Sequence, residues 1–256
     1  MSPDGLYVAR ASPIHRLPAH VAILSTLAFL LVVVLTPAQL WPAFLGYALI
    51  VTAGLIIARV PPHRVRVALL IEVPFLLFAL LLPFLGREPD VAVLGMSLSQ
   101  PGLWAAWNIL AKATIAILAS TLLTASTTST ELLAGLARLH VPAPLVNIAS
   151  FMLRYAPLVN EERVRMARAR AARGFTTTGP GSWSTQARGA GVLFVRSFER
   201  GERVHQAMLA RGYRGAMPSS SATRGGATRS DLVIAVSGPA LAAVVAITAL
   251  LVGGMA

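Results

Sequence analysis

Five apolar runs, each close to the length of one bilayer crossing, constrain this chain more than any other feature of its sequence. They cover residues 18–35, 40–58, 65–85, 103–125 and 232–253. A hydrocarbon core about 30 Å thick takes about 20 residues of helix. No water is there to bond the backbone, so each crossing must satisfy its own N–H and C=O groups, as a helix does. Composition agrees. Of 256 residues 55% are hydrophobic and 12% charged, with a mean hydropathy of +0.69; soluble domains carry about 25% charged residues. The expected fold class is all-α, a polytopic membrane helical bundle of about five spans. Pro37, Pro42 and Pro61-Pro62 punctuate the hairpins. Ser230 or Asp231 would cap the last helix. The basic, then apolar, N-terminal stretch has the look of a signal peptide, but spans follow it at once, which suits an uncleaved first helix.

Arginine sets the expected orientation. Arg10 and Arg16 precede the first span, Arg59, Arg64 and Arg66 separate the second from the third, and fifteen arginines from Arg138 to Arg229 follow the fourth. Across the bilayer the first hairpin has no basic residue, and the second has Arg87, offset by Glu88 and Asp90. Cytoplasmic loops are enriched in Lys and Arg. The chain is therefore expected to be multi-pass in the plasma (inner) membrane, with its N terminus cytoplasmic and its C terminus outside. Residues 1–125 would form a four-span membrane domain, 126–230 a cytoplasmic domain and 231–256 the last span. The net charge of +12 is then a topology signal rather than a nucleic-acid footprint.

Several chemistries are excluded or disfavoured. The chain has no cysteine, which removes disulfides, thiolate metal sites and thiol catalysis. His15, His20, His63, His140 and His205 show no metal-ligand spacing and read as surface or packing residues. The carboxylates are few and scattered. No catalytic residue, metal site or cofactor is expected, and no enzyme activity.

Two ionisable residues fall inside apolar runs, Glu72 in the third and Lys112 in the fourth. A lone charge there costs about 2.5–3.5 kcal/mol on insertion scales. Their axial offset of about 7 Å is within reach of long side chains. A structural Glu72–Lys112 ion pair is expected, the alternative being that each meets water or the interface separately.

Two helical stretches organise the arginine-rich segment. In the first, 145–172, Leu145, Ile148, Met152, Tyr155 and Val159 recur at helical spacing. Pro157 should kink it. Arg163, Arg165, Arg168, Arg170 and Arg173 follow, with Glu161 placed to support Arg165 and Gly174 suited to a left-handed C-cap. In the second, 192–211, Phe194, Phe198, Gly201, His205 and Met208 share a face, Glu199 and Arg203 make an i,i+4 pair, and the helix should stop at Gly212. Residues 176–189 and 218–230 read as linkers. The two stretches end alike, Ala172-Arg173-Gly174-Phe175 and Ala210-Arg211-Gly212-Tyr213. Each arginine could bond its own helix's free carbonyls or reach a partner's carboxylate bidentately.

These residues give the chain a resemblance, over nearly its whole length, to the T component of energy-coupling factor (ECF) transporters, in particular the cobalt-type CbiQ family. The segment Ser12-Pro13-Ile14-His15-Arg16-Leu17-Pro18 looks like that family's opening. The most specific stretch is Val192-Leu193-Phe194-Val195-Arg196-Ser197-Phe198-Glu199-Arg200, continuing to Gln206-Ala207-Met208-Leu209-Ala210-Arg211-Gly212-Tyr213. The continuation Ala19-His20-Val21-Ala22 departs from the family, which commonly has a basic residue near its end. In that family two Ala-Arg-Gly signatures end crossed coupling helices and dock on a pair of ATPase subunits. The resemblance therefore implies partner-binding roles for Ala172, Arg173 and Gly174 and for Ala210, Arg211 and Gly212. It implies a coupling subunit of an ECF-type ABC importer, linking ATP hydrolysis on ATP-binding cassette subunits to uptake by a substrate-binding membrane subunit, with cobalt or nickel as cargo. The chain has no Gly-x-x-x-x-Gly-Lys-Ser/Thr, so it does not supply its own P-loop. Membrane lipids are expected contacts. Rival readings are a conventional ABC permease that binds substrate itself, a membrane enzyme, and a scaffold whose arginine helices bind anionic lipid.

Overall fold

The computed structural model describes residues 7–8, 10, 12–85, 90–93, 96–175, 182–214 and 228–253. These form α1 (Ala19–Leu35), α2 (Trp41–Ile57), α3 (Pro62–Leu70), α4 (Val73–Leu85), α5 (Gln100–Ser126), α6 (Ser129–Arg138), α7 (Ala143–Ala172), α8 (Ser182–Ala210) and α9 (Arg229–Gly253). A short antiparallel ribbon, β1 (Asp90–Val93) and β2 (Met96–Ser99), lies between α4 and α5 in the chain. The architecture is a helical membrane bundle. Arg87 and Glu88, used above for orientation, lie outside the described residues. The chain forms two compact units, one of Leu6–Gly135 with Arg224–Ala256, the other containing Leu136–Thr223.

The first unit holds the apolar helices. α5 and α9 are long and apolar enough to cross a membrane. α1 and α2 have 17 residues each, about 26 Å of helix, near the lower limit for a crossing. The third apolar run departs from expectation. It is not one helix over 65–85 but two, α3 and α4, bent by 51° at Ile71–Glu72. Pro74 gives the reason. It offers no N–H to the Leu70 carbonyl and its ring crowds that carbonyl, so α3 ends at Leu70. Pro239 poses the same problem inside α9, where it orphans the Ala235 carbonyl. There the Ser25 hydroxyl of α1 donates to that carbonyl, and α9 continues unbroken.

A core of Phe29, Val33, Phe44, Tyr47, Val51, Leu55, Ile115, Ala119 and Ala242 joins α1, α2, α5 and α9. Tyr47 is fully buried, and its hydroxyl lies 2.8 Å from that of Thr36. Helices approach closely where a side chain is missing. A Cβ on Gly46 would come within 2.8 Å of Val245, and one on Gly54 within 2.7 Å of Leu122. Small residues at helix contacts are how bundles pack in lipid. The outward positions of α1, α2 and α4, such as Leu31, Leu49, Leu77 and Phe78, are exposed and apolar, as a lipid-facing surface requires.

Helix starts follow one device twice. At α6, Thr128 Oγ1 accepts from the Glu131 N–H and Glu131 accepts from the Thr128 N–H. At α9, Thr228 and Asp231 repeat the exchange. These are capping boxes. The cap of α9 is therefore Thr228, not Ser230 or Asp231, with Asp231 as its reciprocal partner.

The second unit carries α7 and α8. α7 stays one helix through Pro157 and buries none of its residues. α8 begins at Ser182, ten residues before the expected start, so 182–189 is helix rather than linker. Gly189 and Gly191 each disfavour helix by about 1 kcal/mol, which hid this turn of sequence. The Arg170 guanidinium lies where a Gly189 side chain would be, so α7 packs across the glycine. Residues 176–181 of the first expected linker and 218–227 of the second lie outside the described residues.

Candidate functional site

The two Arg-Gly ends share one backbone geometry. At the end of α7 the Gly174 N–H bonds the Ala171 carbonyl at 3.0 Å and the Phe175 N–H bonds the Arg170 carbonyl at 3.2 Å. At the end of α8 the Gly212 N–H bonds Leu209 at 2.9 Å and the Tyr213 N–H bonds Met208 at 3.0 Å. Gly174 has φ +78° and Gly212 φ +81°. This is the Schellman motif, with the left-handed residue supplied by glycine. It satisfies the last carbonyls by backbone alone. The side chains of Arg173 and Arg211 therefore need not bond them, and among the described residues neither makes a hydrogen bond or ion pair. Ala172, Arg173, Gly174, Ala210, Arg211 and Gly212 are all exposed. Each end presents a free guanidinium on a fixed turn.

Glu162 bridges the two helices. It pairs with Arg165 of its own helix at 3.7 Å and with Arg196 of α8. Because Glu162 meets Arg196 and Arg170 meets Gly189, α7 and α8 run antiparallel where they touch. Arg173 lies eleven residues past Glu162, about 16 Å, and Arg211 fifteen residues past Arg196, about 22 Å. The two ends thus leave the contact in opposite directions. A cleft of about 200 Å³ beside it is lined by Leu158, Val159, Leu193, Arg196 and Arg200. The expected Glu161–Arg165 and Glu199–Arg203 pairs are not formed. Glu161 points to solvent, Glu162 takes Arg165 instead, and Arg163 bonds Asn160 at 2.9 and 3.1 Å.

Glu72 and Lys112 do not pair. Glu72, buried at the break between α3 and α4, accepts from the Thr114 hydroxyl at 2.6 Å. Lys112 donates to the Val34 carbonyl at 2.7 Å. α1 ends at Leu35, so Val34 is one of its carbonyls without an intrahelical partner. A cation there also meets the negative end of the helix dipole. Each charge is met by a nearer polar group, Glu72 by the Thr114 hydroxyl and Lys112 by the free carbonyls that end the short α1.

Of the histidines, His15 is buried. Its Nε2 donates to the Val8 carbonyl at 2.9 Å, and its Nδ1 lies 2.8 Å from the Ser12 hydroxyl. Val8 in turn bonds the Ala125 carbonyl of α5. The opening segment is thereby pinned across the end of α5. Among the described residues no group of three His, Cys, Asp or Glu side chains is placed to hold a metal.

Comparison with known proteins places this arrangement. The family model of CbiQ, cobalt transport protein, matches residues 10–222. The energy-coupling factor transporter transmembrane protein EcfT of Listeria innocua is 29% identical over 239 residues, covering 82% of this chain and 84% of that protein. EcfT of Bacillus subtilis is 31% identical with the same coverage of both chains. EcfT of Brevibacillus brevis is 37% identical over 132 residues, 47% of this chain and 49% of that protein. The two matching Arg-Gly helix ends, set on a helical membrane bundle, sit in a sequence that belongs to the CbiQ family of transmembrane components of energy-coupling factor transporters.

Proposed function

We propose that this chain is the coupling subunit of a cobalt or nickel importer. In this reading Arg173 and Arg211 dock on a pair of ATP-binding cassette subunits. The observation that carries it is the repeated Schellman end, which leaves two guanidinium groups unengaged on rigid turns facing opposite ways. Each suits one carboxylate-bearing groove on one of two like subunits. Arginine fits such a joint because its planar fork fixes direction as well as charge; a charge-assisted bond of this kind contributes about 1.5–3 kcal/mol. ATP binding and hydrolysis on the partners would move α7 and α8. They would pass the motion to a substrate-binding membrane subunit that holds the metal ion. Residues 126–230 form the cytoplasmic coupling domain in this scheme, flanked by membrane domains 1–125 and 231–256, with the N terminus inside and the C terminus outside. The chain performs no catalysis of its own.

Co-expression with its ATPase pair and purification through a tag on this chain test the reading. Arg173→Ala and Arg211→Ala should each weaken recovery of the ATPases and depress metal-ion uptake. Normal assembly and normal uptake in both variants would overturn it. A C-terminal fusion reporter active in the cytoplasm would overturn the orientation.

A further inference from the structure

Glu162 stands apart from the other acids of its unit. Between residues 138 and 214 the sequence holds thirteen arginines and four carboxylates, Glu161, Glu162, Glu199 and Glu202. Glu161, Glu199 and Glu202 are exposed. The Glu162 side chain retains 19% of its exposure and is the one shared between helices, held by Arg165 and Arg196. A single solvated ion pair does little for a structure. A carboxylate largely withdrawn from water, beside Leu158, Val159 and Leu193, behaves differently. Its desolvation is offset by Arg165 and Arg196, of which Arg196 alone comes from the other helix. Without the Arg196 charge Glu162 would gain by regaining water, which parting the helices would supply.

We propose that the Glu162–Arg196 pair is the clasp that fixes the spread between the Arg173 and Arg211 ends, making both members positioning residues for coupling. The proposal rests on the coupling reading for its role, but its geometry is measurable with no ATPase present. The chain has no cysteine, so two can be introduced cleanly. Ala171→Cys and Ala207→Cys, both at exposed positions, would carry spin labels in the full chain in lipid nanodiscs, for distance measurement by pulsed electron resonance.

The unaltered clasp should give one narrow distance. Glu162→Gln, which keeps the side-chain volume, and Arg196→Gln should each raise the open population about tenfold, equivalent to the loss of about 1.4 kcal/mol. The swap Glu162→Arg with Arg196→Glu should restore the narrow distance. Unchanged distances in the single variants, or a swap as broad as they are, would overturn the clasp. In the assembled transporter the single variants should still recover the ATPases yet take up less metal ion per ATP hydrolysed, and the swap should recover uptake. Broadened distances with undiminished uptake would overturn the positioning role. Failure of the coupling reading itself is read separately, from Arg173→Ala and Arg211→Ala.

Discussion

Gly54 of α2 and Gly201 of α8 are both mid-helix glycines in very different surroundings. A Cβ on Gly54 would come within 2.7 Å of Leu122, whereas one on Gly201 would meet nothing within 4 Å. The same contrast runs through both units. The membrane unit encloses Tyr47, Val33 and Phe44 in a shared core, and its freed backbone groups find partners inside it, as the Ala235 carbonyl finds Ser25. α7 buries no residue, and Phe194, Phe198 and Trp183 of α8 are exposed. The membrane unit completes its own packing. The paired arms leave their apolar side chains uncovered.

The largest effect should come from the arms and leave stability alone. Joint replacement of Arg173 and Arg211 by alanine would remove the two proposed charge-assisted contacts and should cut uptake more than tenfold, at about 1.5–3 kcal/mol for each. Thermal unfolding of the isolated chain in mild detergent should not move, because neither side chain bonds within the described chain. A fall in melting temperature would show these arginines to be internal supports and would erase the contrast between the units.

Overpacking comes next and should separate the two glycines by sign. Gly54→Leu forces α2 away from α5 and should destabilise the chain by about 1–3 kcal/mol. Gly201→Ala has free space and should stabilise α8 by up to about 1 kcal/mol. Unfolding by denaturing detergent, followed by circular dichroism, reads both. If Gly201→Ala lowers uptake while raising stability, a partner backbone lies against that glycine.

The apolar helices, the Arg-Gly ends and the outline of α7 were legible because each rests on a local signal, an apolar run, a helical period or a glycine at a helix end. What was not legible depended on tertiary partners. The break at Ile71–Glu72 is written in Pro74, but Pro239 carries the same mark and α9 does not break; there the Ser25 hydroxyl takes up the freed carbonyl. Glu72 and Lys112 matched as opposite charges on paper. In the fold each is nearer a different polar group, Thr114 and Val34. The first turns of α8 were masked by Gly189 and Gly191; the role of Gly189 shows only once Arg170 is seen crossing above.

Ser25 offers a test of that backbone logic at smaller cost. Ser25→Ala leaves the Ala235 carbonyl without a donor and should destabilise the membrane unit by about 0.6–2 kcal/mol. Pro239→Ala restores an N–H to that carbonyl, so in the Pro239→Ala background the Ser25 substitution should be nearly silent. Equal effects in both backgrounds, measured by a double-mutant cycle, would mean that Ser25 acts through packing and not through the orphaned carbonyl.

The smallest effect concerns how helices end in the arms and elsewhere. Four ends share the Schellman geometry, those of α2, α6, α7 and α8. The Val60 N–H bonds Leu55 and the Val141 N–H bonds Leu136, at 3.0 and 3.2 Å, as Phe175 and Tyr213 do at the arms. Yet the left-handed position is Arg59 in α2 (φ +51°) and His140 in α6 (φ +60°), against Gly174 and Gly212 in the arms. A side chain in that region costs about 1–2 kcal/mol, while glycine loses about 0.5–1 kcal/mol more conformational freedom on folding. His140→Gly should therefore gain about 0.5 kcal/mol, and Gly174→Ala should lose about as much. Since both figures are differences of opposed terms, the sign is the test. A stabilising Gly174→Ala would mean that the arm does not hold its left-handed turn in solution. Arg173 would then lack the fixed direction on which the proposed docking depends.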